Sequence, residues 1–163
     1  MPTIRLRPIV DADRETLYQC YASTRVDELA AVDWSAETKE QFLRMQFHAQ
    51  SVHYQQHYPT GQFQIILADE QSAGRLYVDR WEHEIRIVDI TLLPPFRGQG
   101  VGSSLLQSLI EESMAAGKPL SIHVEKNNPA MRLYRRLGFL PIGEVGLYDL
   151  MQRPVAALPD ASI

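Results

Sequence analysis

The sequence predicts a mixed α/β fold, in which about four helices flank a central sheet of about six or seven strands. Strand-like and helical segments alternate in the middle of the chain. At both ends strand follows strand through short turns, as in antiparallel hairpins. With 163 residues, 45% hydrophobic and 22% charged, the chain has the composition of one globular domain. We expect a single domain over residues 1–163, with a loosely held tail at 156–163.

The first sixty residues contain one predicted strand and two predicted helices. Thr3–Pro8 alternates apolar and polar residues and is closed by its proline. Acidic residues that can cap a helix then predict one from about Asp11 to Ala30. A capping signal at Ser35 predicts a second helix that extends towards Tyr58.

Polar side chains on the second helix allow more than one interpretation. His53 and His57 lie four residues apart, but no third metal ligand is evident nearby, so we expect solvated or hydrogen-bonded histidines. Gln46, Gln50 and Tyr54 share one helical face. That face suits either a polar acceptor pocket or the edge of an interface.

The remaining elements follow from alternation, caps and turn residues. The predicted strands are Gln62–Ala68, Gly74–Val78, Ile85–Leu93, Pro119–Glu125 and a two-armed segment from Phe139 to Met151; the helices run from Val101 to Gly117 and from Pro129 to Gly138. A turn over residues 69–73 joins the first two of these strands.

The strand Ile85–Leu93 does not alternate strictly. Ile85 and Ile87 share one face, whereas Ile90 and Leu92 share the other. Burial of both faces explains such a slip, and so does a β-bulge that shifts the pleat by one residue. We favour the bulge.

A glycine-rich turn, Pro94-Pro95-Phe96-Arg97-Gly98-Gln99-Gly100-Val101-Gly102, connects this strand to the next helix. Three glycines in five positions leave backbone N–H groups accessible, because no Cβ atom screens them. The helix adds its unpaired first-turn N–H groups and the positive end of its dipole. The turn therefore predicts an anion cradle, with a flexible connection as the alternative.

Composition excludes several classes of function. A formal net charge of −4 argues against a general nucleic-acid partner. No apolar run reaches the roughly 20 residues that span a bilayer, and the N-terminus lacks a signal-peptide pattern, so we expect a soluble cytoplasmic protein without a membrane partner. The single cysteine, Cys20, excludes an internal disulfide framework and a cysteine-rich metal site.

Two segments carry a family resemblance. Arg97–Gly102 resembles the pyrophosphate loop of the GNAT family of N-acetyltransferases, and Asn127–Tyr134, followed by Leu137–Phe139, resembles that family's second motif. The resemblance covers roughly residues 62–151 and is weak over the first sixty. It implies a GNAT-like fold and transfer of an acetyl group from acetyl-CoA to an amine, directly within a ternary complex and without a metal.

The resemblance also implies roles for individual residues. Loop amides would bind the pyrophosphate, and these belong to Arg97, Gly98, Gln99, Gly100, Val101, Gly102 and Ser103. The backbone near Leu92 and Leu93 would pair with the amides of the pantetheine arm. Asn127 would anchor the cofactor through its side-chain amide, and Asn128 would only cap the helix.

Two proton transfers accompany the implied reaction. Glu84, counted back from Arg97, matches the position of the family's glutamate base, although a solvated carboxylate is an equal alternative. Asp89, Glu82 or a water molecule would replace it. Tyr134 matches the family's general acid, and a plain core tyrosine is the alternative.

Surface charge near these residues gives weaker indications. We expect the arginines beside Tyr134 to form a solvated helix face rather than a contact with the cofactor's 3′-phosphate; they are Arg132, Arg135 and Arg136. Four acidic residues favour a cationic acceptor; they are Asp79, Glu82, Glu84 and Asp89.

The leading prediction is an N-acetyltransferase that acts on a primary amine of a small molecule or a peptide. A catalytically silent acyl-CoA-binding or regulatory module is the main alternative, since it needs the loop but no acid or base. A generic nucleotide-binding protein is less well supported, because the Lys-Ser/Thr ending of a P-loop is missing. The acceptor remains unidentified, and the resembled family often forms homodimers.

Overall fold

The computed structural model describes residues 1–155, so the expected tail at 156–163 lies outside the described residues. The strands are β1 Ile4–Pro8, β2 Gln62–Ala68, β3 Gln71–Arg80, β4 Ile85–Leu92, β5 Leu120–Glu125, β6 Leu140–Val145 and β7 Tyr148–Arg153. The helices are α1 Arg14–Ser23, α2 Val26–Ala30, α3 Ala36–His57, α4 Val101–Ala116 and α5 Met131–Arg136. The strands of this part of the chain form one mixed sheet in the order β1-β2-β3-β4-β5-β7-β6, which confirms the predicted fold class.

Within residues 1–155 no helix is both long enough and apolar enough to cross a membrane. The described chain divides into two compact units. The first contains Met1–Tyr77 and Ile90–Gly102, and the second contains Val78–Asp89 and the chain from Ser103 onward. The prediction of a single domain stays a prediction.

In the first unit, α1 and α3 pack together through aromatic rings. Phe47 of α3 is buried, and its ring centroid lies 5.8 Å from that of Tyr18 and 6.2 Å from that of Tyr21, both on α1. Edge-to-face and tilted ring pairs of this kind add to the free energy gained from burial alone. These contacts fix the helix pair in the first unit.

The predicted helix from Asp11 to Ala30 is wrong as one continuous element. A 3₁₀ turn precedes α1, and α1 ends at Ser23, three residues before α2 begins. The Ser23 hydroxyl donates to the Cys20 carbonyl at 2.8 Å, and the Thr24 hydroxyl donates to the Tyr21 carbonyl at 2.7 Å. Hydroxyls that occupy backbone carbonyls in this way compete with continuation of the helix.

The start of α1 is held by an ion pair. Arg7 donates to both carboxylate oxygens of Asp13 at 2.8 Å, and the Val10 N–H donates to Asp13 at 2.8 Å. Asp13 is only 6% exposed. The Arg7 guanidinium holds the pKa of the Asp13 carboxyl below its usual value, because it hydrogen-bonds the charged form.

The helix α3 begins as its capping signal predicted and is unbroken over 22 residues. The Ser35 hydroxyl accepts a hydrogen bond from the Thr38 N–H at 3.1 Å. This bond satisfies one of the backbone donors that a helix start leaves unpaired.

The connection between β2 and β3 is shorter than the predicted turn over residues 69–73. Asp69 and Glu70 have φ angles of 48° and 65° and complete the turn, so β3 begins at Gln71. Two consecutive residues in the left-handed region are typical of hairpin turns whose twist matches that of the flanking strands. Pairing can therefore start immediately after the turn.

The strand β4 contains the extra residue that a bulge requires. Trp81 donates to the Glu84 carbonyl, and Leu93 donates to the Ala73 carbonyl. Between these two hydrogen-bonded pairs, β3 contributes the seven residues 74–80 and β4 contributes the 8 residues 85–92. Over the same stretch β4 therefore has one residue more than β3.

In the second unit, β4 and β5 pair in parallel over a short stretch. The register joins Ile85–Ile87 to Leu120–Ile122, although both strands continue further. On its other side β5 pairs along its full length with β7. The first three residues of β5 are thus held on both sides, while its end is held by β7.

Candidate active site

The glycine loop of the first unit presents backbone donors. Gly98 and Gly100 have φ angles of 73° and 84°, which side-chain-bearing residues rarely adopt. A Cβ atom placed on Gly98 would meet nothing within 4 Å, so the space beside it is open. No acceptor in residues 1–155 receives a hydrogen bond from the N–H groups of Gly98, Gln99 or Gly100. Exposed, unpaired N–H groups in such turns form anion-binding concavities.

Two side chains fix the shape of the loop. Arg97 Nε donates to the Leu92 carbonyl at 2.9 Å, and Arg97 Nη2 donates to the Ser23 hydroxyl at 3.2 Å. Gln99 Nε2 donates to the Pro95 carbonyl at 3.1 Å. Both side chains therefore contact the protein, and the backbone N–H groups of Gly98, Gln99 and Gly100 remain available to a ligand.

Leu92 and Leu93 at the end of β4 are not equivalent. The Leu93 N–H donates to the Ala73 carbonyl of β3 at 2.8 Å. Because neighbouring residues of an antiparallel strand direct their backbone groups to opposite sides, the Leu92 N–H points away from β3. Leu92 is therefore better suited than Leu93 to pair with an amide of a bound ligand.

Tyr134 of the second unit is buried but chemically accessible. The residue is 5% exposed, and its ring centroid lies 5.6 Å from that of Phe139. The hydroxyl makes no hydrogen bond with any described residue, yet its oxygen is not sealed from solvent. Burial, with a smaller contribution from the charge of Asp89, raises the pKa of Tyr134 to about 12. At neutral pH it is a hydrogen-bond donor.

Glu84 lies in a hydrogen-bonded network of the second unit. Its Oε2 atom accepts a very short hydrogen bond from the Ser121 hydroxyl and another from Arg86 Nη2 at 3.3 Å. Arg86 Nε also donates to the Ser121 hydroxyl at 2.8 Å, and its guanidinium lies 5.0 Å from the ring centroid of Trp81. In the described chain no hydrogen bond joins Glu84 to Tyr134.

The same network contains a histidine that sequence reasoning missed. His123 Nδ1 lies 3.4 Å from Arg86 Nη1. Burial, together with the positive charge of Arg86, lowers the pKa of His123. Ser121 and His123 are two residues apart and therefore share one face of β5. Only the parallel register shows that Arg86 lies opposite Ser121.

The other candidate residues occupy less enclosed positions. Ser103 and Asn127 are exposed. The prediction that Asn128 caps the helix is wrong, because α5 begins at Met131, two residues later than predicted, and its N-cap is Ala130. Asn128 instead accepts a hydrogen bond from the Ala130 N–H at 2.8 Å in the preceding turn. The Glu82 side chain is 88% exposed, which suits a solvated carboxylate.

The polar side chains predicted to share one face of α3 make different contacts in the structure. Gln50 accepts a hydrogen bond from Arg75 Nη2 at 2.8 Å, and Tyr54 lines a cavity. The rings of His53 and His57 stack with centroids 4.0 Å apart. In residues 1–155 no three histidine, cysteine or acidic side chains come together as a metal site.

A glycine turn between a strand and a helix, with backbone N–H groups that have no acceptor in the described chain, suits a ligand that carries a phosphate or diphosphate group. Residues 23–139 match the model of the acetyltransferase (GNAT) family. The chain belongs to this family, which confirms the predicted family resemblance.

Two solved structures show the same fold. The PaiA N-acetyltransferase of Thermoplasma acidophilum, in complex with coenzyme A, is 18% identical with a TM-score of 0.68, covering 93% of this chain and 99% of that one. The ribosomal-protein-S18-alanine N-acetyltransferase of Escherichia coli is 18% identical with a TM-score of 0.61, covering 97% of each chain.

A Bacillus subtilis relative, whose assigned activity is ribosomal protein bS18-alanine N-acetylation, is 32% identical over 90 residues. The match covers 52% of this chain and 58% of that protein.

Proposed function

We propose that the protein transfers the acetyl group of acetyl-CoA to a primary amine of a small molecule or a peptide. The observation that carries this proposal is the loop Gly98–Gly100, whose backbone N–H groups have no acceptor in the described chain. These groups would bind the pyrophosphate, with Val101, Gly102 and Ser103 at the start of α4 as further donors. Leu92 would pair with the pantetheine arm, and Asn127 would anchor the cofactor.

The reaction needs one proton acceptor and one proton donor. The amine nitrogen attacks the carbonyl carbon of the thioester, a C–N bond forms, and the C–S bond breaks to release the thiolate. Because an alkylamine has a pKa near 10, a base must take its proton before or during attack. The departing sulfur must gain a proton or a hydrogen bond.

We assign the base role to Glu84, acting directly or through water. Its position next to Ser121 and Arg86 fixes the carboxylate, and a fixed orientation is what a general base needs. Asp89 is the alternative, since its charge acts on Tyr134. Comparing the pH dependence of kcat/KM for Glu84→Gln and Asp89→Asn tests the assignment. Only the variant that removes the base should lose the acidic limb of the wild-type profile.

We assign the donor role to Tyr134. Its hydroxyl stays protonated at neutral pH, and no described residue competes for it. A phenol with a pKa near 12 is a weaker acid than a thiol, whose pKa is near 8.5. Tyr134 therefore acts chiefly as a hydrogen-bond donor that stabilises the developing thiolate.

Two relatives support a peptide acceptor. The Escherichia coli and Bacillus subtilis proteins are described as N-acetyltransferases for an alanine of ribosomal protein S18. An α-amino group is a primary amine with a pKa near 8, so it needs less help from a base than a lysine side chain does. We further propose that the protein acts in the cytoplasm, without a nucleic-acid or membrane partner, and that it can form a homodimer.

The test is release of free coenzyme A with a panel of amines, together with calorimetric titration of coenzyme A. We expect saturable binding and amine-dependent thiol release. Binding without turnover on any amine, combined with no effect of Tyr134→Phe, would support a silent acyl-CoA-binding module instead. Absence of coenzyme A binding to folded protein would refute the proposed donor site.

A further inference from the structure

A cavity of about 390 Å³ lies within the first unit, beside the C-terminal half of α3. Its volume is within the range of roughly 300–1,000 Å³ that is typical of small-molecule sites. Four aromatic side chains contribute to its wall; they are Phe47, Tyr54, Phe63 and Tyr77. Sites with this lining favour flat, apolar groups that can pack against ring faces and edges.

The rings are held in place before any ligand arrives. The ring centroid of Tyr77 lies 4.7 Å from that of Phe63 and 5.8 Å from that of Tyr54. A Cβ atom on Gly61 would lie 3.1 Å from Phe63 Cζ, so the absence of a side chain there lets Phe63 take its position. A preformed cavity binds with a smaller entropic cost than one that must be ordered by its ligand.

The position of the cavity along β3 relates it to the proposed cofactor arm. Ala73 of β3 accepts the hydrogen bond from Leu93, where the glycine loop begins. Tyr77 lies four residues further along β3, about 13 Å away at the rise of an extended strand. An arm that leaves the loop and follows the end of β4 back from Leu93 runs in the direction of Tyr77. Along the strand direction, Tyr77 therefore lies on the side of Ala73 towards which the arm would run.

The charged side chains at the cavity give no net attraction for a cation. Asp11 and Arg14 are the charged residues among its lining, and both are exposed. Neither side chain forms a hydrogen bond or ion pair within residues 1–155, although the Arg14 guanidinium lies 5.7 Å from the ring centroid of Phe47. One carboxylate and one guanidinium give no net attraction for an ammonium group. An aromatic ring, in contrast, can be buried against the four aromatic side chains of the wall.

We propose that the cavity holds the aromatic ring of the acceptor and so selects amines that carry a ring close to the amino group. This inference rests on the acetyl transfer proposed above and names the acceptor class for that reaction. The ring can belong to a small arylalkylamine or to the N-terminal residue of a peptide. In both cases the ring enters the cavity and the amine stays outside it.

The first test compares matched acceptors in steady-state thiol release. We expect kcat/KM to be at least about tenfold higher for 2-phenylethylamine than for propylamine, as one well-buried ring can provide. Phe-Gly-Gly and Gly-Gly-Gly form the corresponding peptide pair. If only one of the two pairs shows the tenfold preference, that pair shows whether the ring belongs to a small amine or to a peptide.

The second test fills the cavity from α3. Ser51 lines the cavity, whereas Val52 is 36% exposed and does not line it. We expect Ser51→Phe to lower kcat/KM for the ring-bearing amine at least about tenfold and to leave propylamine turnover and coenzyme A affinity unchanged. Val52→Phe is the matched control and should change none of these. Gln55→Trp, which fills the same cavity from an exposed position, replaces Ser51→Phe if that variant does not fold.

The outcomes separate this inference from the proposed function. Equal turnover of ring-bearing and ring-free amines, or a preference that survives in Ser51→Phe, overturns the inference while acetyl transfer stands. If no amine is acetylated, calorimetric titration of 2-phenylethylamine decides: heat that disappears in Ser51→Phe supports ring binding, and no heat with the wild type refutes it.

Discussion

The glycine loop and the aromatic cavity belong to the same compact unit but are built in opposite ways. The loop is one continuous segment, Arg97–Gly102, and the groups it offers to a ligand are backbone N–H groups. The cavity is lined by side chains from α1, α3, β2, β3 and the chain after β1. A backbone site demands glycine at given positions, whereas a side-chain site tolerates many residues if the volume is kept. The two should therefore respond to different kinds of substitution.

We expect the largest effect from a substitution that slows the chemical step but leaves coenzyme A binding intact. Tyr134→Phe removes only a hydroxyl that has no partner in the described chain. We expect kcat to fall about 10²–10³-fold, in the range for loss of one positioned hydrogen-bond donor to a developing charge, while coenzyme A affinity stays within about twofold. Steady-state kinetics and calorimetry measure the two quantities. Tyr148→Phe, which alters an exposed tyrosine, is the matched control.

The pKa of Tyr134 adds a pH test of the same variant. The folded-state pKa of about 12 lies above the ordinary value of 10.0, so the stabilisation is complete below about pH 10 and is lost as the pH rises towards 12. Between those values the free energy of unfolding should fall by about 2 kcal/mol more for the wild type than for Tyr134→Phe. Denaturant unfolding at a series of pH values measures the difference, and parallel curves would contradict the raised pKa.

The features that the sequence predicted, and those that it did not, divide in the same way between backbone and side chains. The loop was predictable because φ angles of 73° and 84° at Gly98 and Gly100 are costly for other residues. The start of α3 was predictable because Ser35 acts within its own helix turn. The end of α1 was missed, since Ser23 and Thr24 have moderate helix preference and stop the helix through hydroxyl contacts with carbonyls.

Strand pairing was the second feature that limited prediction from the sequence. Glu84 was found by its distance from Arg97 in the sequence, but its partners Arg86 and Ser121 depend on which strand lies beside β4 and in what register. Of the cavity, the sequence indicated only Tyr54, on the helical face that suits an acceptor pocket. Its other walls come from segments far apart in the chain, and no local pattern encodes their meeting.

The next largest effect tests the backbone character of the loop. Gly100→Val places a β-branched residue at a φ of 84° and a Cβ atom 3.2 Å from Met1 Sδ. We expect coenzyme A affinity to fall about 100-fold, because the turn must distort and its N–H groups lose their common direction. Calorimetric titration of coenzyme A measures the loss.

Gly146→Val provides the matched control for the loop. Gly146 also has a positive φ, 59°, and a Cβ atom there would meet nothing within 4 Å. Both variants should lose a similar 1–2 kcal/mol of stability, roughly the cost of a left-handed residue, but only Gly100→Val should lose coenzyme A affinity. Equal affinity in the two variants would show that the loop does not bind the donor.

A smaller effect is expected at the start of α1, beside the cavity. Asp13→Asn removes the charge that Arg7 pairs with, and we expect a loss of about 2 kcal/mol of stability at pH 7, because the pair is only partly buried. The pKa of Asp13 is lowered, so this stabilisation exists above the ordinary carboxyl pKa and disappears as the pH falls through the folded-state value. Urea unfolding at pH 7 and at pH 3 measures it. Asp11→Asn, with no ion pair in the described chain, should change stability little.

The smallest effect distinguishes a side chain that shapes the loop from one that binds the ligand. Arg97 is exposed and bonded to Leu92 and Ser23, so Arg97→Gln should weaken coenzyme A binding only about fivefold, the equivalent of about 1 kcal/mol, with kcat unchanged. Arg132→Gln, on the exposed face of α5, is the charge-matched control and should have no effect. A loss beyond about 100-fold for Arg97→Gln would mean that the guanidinium itself binds the pyrophosphate. The loop would then combine backbone and side-chain recognition, and the contrast with the cavity would hold only for its glycines.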